Sequence, residues 1–136
     1  MNIVKFVFNP LEENTFVVWD DTLEAIIIDA GNSNSKENER LAEFIAEQGL
    51  RPVMAVNTHG HFDHIAGVKR IKDIYKNARI VIGEKDAVLT EDTEKNVADY
   101  FGASFECFKP DILVKENDVL EIGSEKLRVI ETPGHS

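Results

Sequence analysis

Two periods of hydrophobic and polar residues alternate along this chain. The segments IVKFVF (3–8) and NTFVVW (14–19) are β-branched and aromatic, and the turn-rich Asn9-Pro10-Leu11-Glu12-Glu13 lies between them, which predicts two strands. After Asp20-Asp21 the run EAIIIDAG is apolar at every position from 25 to 28, as expected of a strand covered on both faces. The period then lengthens to that of a helix. Asn34 with Glu37 three residues on makes a candidate capping box, Leu41, Phe44 and Ile45 form an apolar stripe, and Gly49 can end the segment. Pro52 to Val56 predicts a short strand, 64–76 a helix with Ile65, Val68, Ile71, Ile74 and Tyr75 on one side, and ARIVIG (78–83) another strand. Residues 84–101 predict one or two short helices. LVKENDVLEIG and KLRVIET, on either side of Gly123-Ser124, predict further strands. Strands alternating with helices argue an α/β fold with a flanking antiparallel meander.

The chain has 136 residues, 43% of them hydrophobic, enough for one core and one domain over 1–136. No run of 18 apolar residues occurs, so no membrane span is expected. The first residues, MNIVKFVFNPLEENTF, lack the basic start and apolar stretch of a secretory leader. A single cysteine, Cys107, allows no internal disulfide, and a reducing, cytoplasmic location is the expectation. Fifteen basic against 25 acidic residues give a formal charge of −10, which repels phosphate backbones and argues against nucleic-acid binding.

Candidate chemistry is concentrated in VNTHGHFDHIAG, where His59, His61, Asp63 and His64 follow directly on the strand 52–56. The fourth histidine, His135, is the next-to-last residue. In an extended segment residues two apart point the same way, so His59 and His61 can present imidazoles to one point. Asp63 and His64 fall where the backbone turns into a helix and therefore aim differently. Gly60 lets the backbone pass close to the site. Two converging imidazoles with a carboxylate and a third imidazole to one side suit two neighbouring metals better than one closed cage. Nitrogen and oxygen donors without sulfur are compatible with Zn²⁺ and also with Fe or Mn. Asp63 is equally placed to cap the helix 64–76, a role that does not exclude metal binding.

His59-x-His61-x-Asp63-His64 after an apolar strand resembles the signature of the metallo-β-lactamase superfamily, and Thr132-Pro133-Gly134-His135 looks like its next ligand motif. ENTFVVWDD followed by AIIIDAG resembles the opening hairpin and Asp-x-Gly turn of the glyoxalase II-like (hydroxyacylglutathione hydrolase-like) branch. The resemblance implies an αββα sandwich with a metal site at one edge. In that pattern His59, His61 and His135 hold a first metal, and Asp63 and His64 contribute to a second; two Zn²⁺ per intact site are implied. A metal-bound hydroxide attacks the carbonyl of a thioester or related ester substrate, with Asp63 as the candidate catalytic carboxylate. Asp29 matches the Asp-x-Gly turn and is a candidate for orienting a ligand, or no more than a turn residue before Gly31.

The family pattern continues with a bridging aspartate and one more histidine, and neither occurs in these 136 residues. The expectation is therefore the first half of such a domain, with the second sheet incomplete and an apolar sheet face left bare. Two functions compete. One is a metal-dependent hydrolase; the other is a catalytically incompetent fragment, a structural module that binds metal weakly or not at all and self-associates through that face. The same argument predicts that segment 126–131 is displaced and that His135 sits away from His59 and His61.

Overall fold

The computed structural model describes residues 1–135. Six strands make one mixed sheet in sequence order: β1 (Asn2–Phe8), β2 (Glu13–Trp19), β3 (Glu24–Ile28), β4 (Arg51–Asn57), β5 (Arg79–Gly83) and β6 (Ile112–Val114). The first three pair antiparallel, and β3 to β6 run parallel. A second sheet holds only two antiparallel strands, β7 (Val119–Ile122) and β8 (Glu125–Arg128). The helices are α1 (Ser35–Glu47), α2 (Phe62–Ile65) and α3 (Val68–Ile74). The mixed α/β class and the incomplete second sheet read from the sequence are both present.

The continuous apolar runs bury on two sides because β-strand side chains alternate. Val17, Ala25, Ile27, Ala55 and Ile80 face the helices, where Leu41 and Ile45 of α1 and Val68 and Ile71 of α3 pack on them. Val18, Ile26, Met54 and Val81 face the opposite way, and Val114 and Ile122 join them with β7 and β8 on that side. The pairing of β3 with β4 slips between Ala25 and Ile26, next to Pro52, which has no amide to give to the ladder. Cutting Leu41 back to alanine inside such a core costs about 2–5 kcal/mol.

Helix α1 starts as its capping pattern predicts, with Asn34 Oδ1 accepting from the Glu37 amide at 2.9 Å. It ends before Gly49, which sits at φ +67°. The reciprocal half of the box is redirected, because Glu37 accepts from the amides of Ser33 and Asn9 instead.

Three expectations need correction. The single helix over 64–76 is two, broken at Ala66-Gly67. The Gly67 amide is spent on the Ala30 carbonyl at 2.7 Å, a tertiary bond that local periodicity cannot reveal. Of the one or two short helices expected over 84–101, one is present, a 3-10 helix over Glu84–Thr90, and turns replace helix in the rest. Asn96, inside those turns, is fully buried, and its backbone carbonyl accepts from the Phe62 amide. Finally, the predicted strand over 113–123 is two short ones, and the last strand ends at Arg128.

The apolar face expected to be bare is partly covered. Ile122 of the small sheet is fully buried against it, while Phe16, Ile28 and Val56 are half-buried. Ile3 pairs with Val18 across β1 and β2 and so shares this face; it is 63% exposed. Among the described residues no helix is long and apolar enough to cross a membrane.

Candidate metal centre

Parallel pairing brings the carboxyl ends of β3 and β4 to the same edge, the usual place for a site in an α/β sheet. Asp29 follows β3, and Thr58 and His59 follow β4. Asp29 has a left-handed backbone, φ +54°, a conformation aspartate tolerates better than most residues. Its Oδ1 accepts from the Thr58 amide at 2.7 Å, and its Oδ2 accepts from the Thr58 hydroxyl at 2.6 Å. The two loops are thereby tied through one buried carboxylate.

Beyond Thr58 the three imidazoles of His59, His61 and His135 converge. Their ring centroids are 4.7–4.9 Å apart, and one nitrogen from each lies within 4.8 Å of the others. His61 Nδ1 is 3.1 Å from His135 Nε2. His59 Nδ1 contacts the Thr58 hydroxyl at 2.9 Å, and its buried Nε2 has no hydrogen-bond partner. Burial holds the His59 imidazole down at about 4, with the neighbouring His64 adding to the effect. Burial, and then His135, lower His61 as well. Gly60 is required by space: a Cβ there would lie 2.5 Å from Leu89 Cβ.

His135 is therefore not displaced from its partners, contrary to the expectation from the sequence. The segment leading to it is held by the Val129 amide on the Asp118 carbonyl and by the Lys85–Glu131 ion pair. Those contacts come from within residues 85–131 and do not depend on a larger second sheet.

His64 lies on the other side of His59, with ring centroids 4.1 Å apart. Its Nδ1 is 3.0 Å from Asp29 Oδ2, and its Nε2 is 3.5 Å from Asp63 Oδ2. Burial opposes its protonation, but the Asp29 hydrogen bond and charge, with the charge of Asp63, outweigh burial and raise its affinity for a proton. Because both Asp29 oxygens already serve Thr58, Asp29 acts on His64 as an orienting carboxylate. His59, His64 and Asp29 make a second group with one donor atom each within 4.8 Å, so His59 is shared between it and the three-histidine group, and Asp63 lies beside His64.

Two further residues at this centre were not read from the sequence. Glu13 is buried, with Oε1 unpartnered and 3.6 Å from His64 Nδ1. Burial pushes its carboxyl up to about 8, and the negative charges of Asp29 and Asp63 act in the same direction. Its Oε2 is 2.8 Å from the Thr15 hydroxyl, which is also 2.7 Å from the Asp29 carbonyl. One hydroxyl proton cannot serve both oxygens. The carbonyl can only accept, so the protonated Glu13 carboxyl is the group able to donate across the other contact. Asn9 gives its Nδ2 to the carbonyls of Gly31, at 3.0 Å, and Asp63, at 2.9 Å. A signal for Glu13 does exist in the sequence: Glu13 and Thr15 occupy the parity of β2 that Val17 buries.

The donor set fits a divalent cation. Three imidazole nitrogens, one of them buried and otherwise orphaned, converge where an ion would satisfy them. The fold and this cluster define an α/β protein with a histidine-rich centre, able to hold such an ion, at the carboxyl edge of its sheet. The chain belongs to the metallo-beta-lactamase superfamily, whose family model matches residues 8–136. It is 34% identical over 130 residues to a hydroxyacylglutathione hydrolase of Francisella tularensis subsp. novicida, covering 96% of this chain and 42% of that protein. It is 32% identical to an uncharacterized protein of Aquifex aeolicus, covering 98% of this chain and 61% of the other. The crystal structure of the B3 metallo-beta-lactamase BLEG-1 superposes with a TM-score of 0.88 at 29% identity, over 99% of this chain and 63% of that one. The chain thus spans between about two fifths and two thirds of the length of these relatives.

Proposed function

We propose that residues 1–136 form part of a single metallo-β-lactamase-fold domain that hydrolyses a thioester or related ester of a small molecule. The observation that carries this reading is the convergence of His59, His61 and His135 around the unpartnered His59 Nε2. In it, these three imidazoles hold one zinc ion, with Asp63 and His64 at a second position; iron or manganese suits the same donors. An ion bound there lowers the pKa of water from about 15.7 towards 7 and polarises a carbonyl oxygen. The chain's own groups supply placement. Asp29 fixes the His64 ring through Nδ1, leaving Nε2 directed towards Asp63. Asp63 is the carboxylate positioned to orient a water molecule and accept its proton. The likeness to the Francisella hydroxyacylglutathione hydrolase supports a thioester over other carbonyl substrates. A cytoplasmic location goes with the lone free Cys107.

The test is hydrolysis of a hydroxyacylglutathione thioester by the zinc-loaded full-length protein, compared with the Asp63→Asn variant. Turnover that needs zinc and falls steeply in the variant supports the reading. Full zinc loading without thioester turnover would sink the substrate assignment.

A second reading has its own observation. The two-stranded second sheet leaves Phe16, Ile28 and Val56 half-buried beside exposed Ile3 and Val7. In this reading the 136 residues act as a structural module with weak or no metal binding, and a second copy of the chain covers that face.

A further inference from the structure

The turn between β1 and β2 lies far from the histidine motif in sequence, yet two of its side chains end at the Asp63–His64 pair. Asn9 adopts φ +55°, the left-handed conformation that asparagine accepts more readily than most residues. Its Oδ1 closes the turn by accepting from the Leu11 amide at 3.0 Å. That leaves the Nδ2 group free to point inward, where it spans the Gly31 carbonyl after the Asp29 turn and the Asp63 carbonyl in α2. The Asn9 amide is itself held at 2.7 Å by Glu37 Oε2, from the first turn of α1. Glu13, at the other end of the same turn, presents its unpartnered Oε1 to His64 Nδ1 at 3.6 Å. The space between is closed: a Cβ on Gly31 would fall 2.0 Å from Glu13 Oε2 and 2.6 Å from the Asp63 carbonyl.

Asn9 and Glu13 thus reach the Gly31 carbonyl, the Asp63 carbonyl and the His64 ring. We infer that Asn9 is a positioning residue for the Asp63–His64 half of the site, which it clamps to the Asp29 turn, with Glu13 as the wall behind His64. The inference rests on the metal reading above only for one arm of its test.

Asn9→Asp keeps the shape, the left-handed tolerance and the acceptor for Leu11, and removes the donor to both carbonyls. Asn9→Gly removes the side chain without backbone strain and decides the matter if the aspartate variant fails to fold. The first arm needs no metal. The His64 imidazole proton bonded to Asp29 exchanges with solvent at a rate set by how firmly the ring is held, and it is followed by NMR in the metal-free, full-length protein. In the variants it should exchange at least about 10-fold faster relative to the core amides of Val17 and Ile27. Uniform acceleration of all three, or no change at His64, would overturn the inference.

The second arm titrates zinc against a chromophoric chelator, in the His61→Ala background and separately in the Asp63→Ala background. Loss of Asn9 should weaken the zinc left at Asp63 and His64 by about 10- to 100-fold, the range for groups that orient a ligand. Zinc on the three-histidine group should change little. Equal weakening in both backgrounds would also overturn it. If the unaltered protein takes up no zinc, the hydrolase reading fails, and the exchange arm still decides the role of Asn9.

Discussion

His64 Nδ1 and Asp29 Oδ2 lie 3.0 Å apart, and the same Asp29 carboxylate binds the amide and hydroxyl of Thr58. One side chain after β3 therefore orients a histidine 35 positions later and locks the loop that carries His59. Asn at position 29 keeps the size and backbone tolerance but halves the acceptor capacity. Asp29→Asn is expected to weaken metal binding at the His64 position by about 10- to 100-fold. Stability should fall by about 1–3 kcal/mol for the weakened hydrogen bonds to the Asp29 carboxylate. Chelator competition and urea unfolding measure the two effects, and zinc affinity equal to wild type would remove Asp29 from the role.

Substituting His59 and His61 together by alanine should abolish stoichiometric zinc in the full-length protein. Elemental analysis after dialysis reads this directly. Retained metal in the double variant would show that the three-histidine group is not the site.

Gly31→Ala tests the crowding beneath the centre without removing a polar group. The added methyl would meet Glu13 Oε2 and the Asp63 carbonyl far inside contact distance. Overpacking of this kind costs about 1–3 kcal/mol, read from a denaturant midpoint shift. An unchanged midpoint would mean that the turn below His64 is more compliant than its geometry indicates.

Asp20 links the turn between β2 and β3 to the turn between β7 and β8. It accepts from the amide and hydroxyl of Thr22 and from the amide and hydroxyl of Ser124. The Thr22 hydroxyl, followed by the Ser124 amide, holds its carboxyl down at about 2. Its folded pKa is below its unfolded value, so its contribution is fully present above about 4 and is lost as pH falls towards 2. Asp20→Asn should flatten that acid limb of the stability curve and loosen β7–β8 at neutral pH. The same pH dependence in variant and wild type would assign the limb to other carboxylates.

Self-association through the half-covered face makes a separate prediction. Sedimentation at tens of micromolar should show a concentration-dependent dimer, and Ile3→Lys should abolish it by placing a charge on that face. A monodisperse monomer of the unaltered chain would remove this face as a contact between copies.

The sequence by itself determined the element types and the chemistry of the cluster. Strand parity, the apolar runs at 25–28 and 53–56 and the cap at Asn34 are local properties, so the sheet and α1 were legible from them. The motif from His59 to His64 was equally legible, because its residues share one stretch of backbone. Only the tertiary structure decided how distant pieces meet. It broke the helix at Gly67, whose amide is drawn to Ala30, and it turned 91–102 into a series of turns around the buried Asn96. It also carried His135 to within 3.1 Å of His61 and set Asn9 and Glu13 beneath Asp63 and His64. The physical reason is the same in each case: these contacts join residues tens of positions apart, so no single segment holds both partners and local periodicity carries no trace of them.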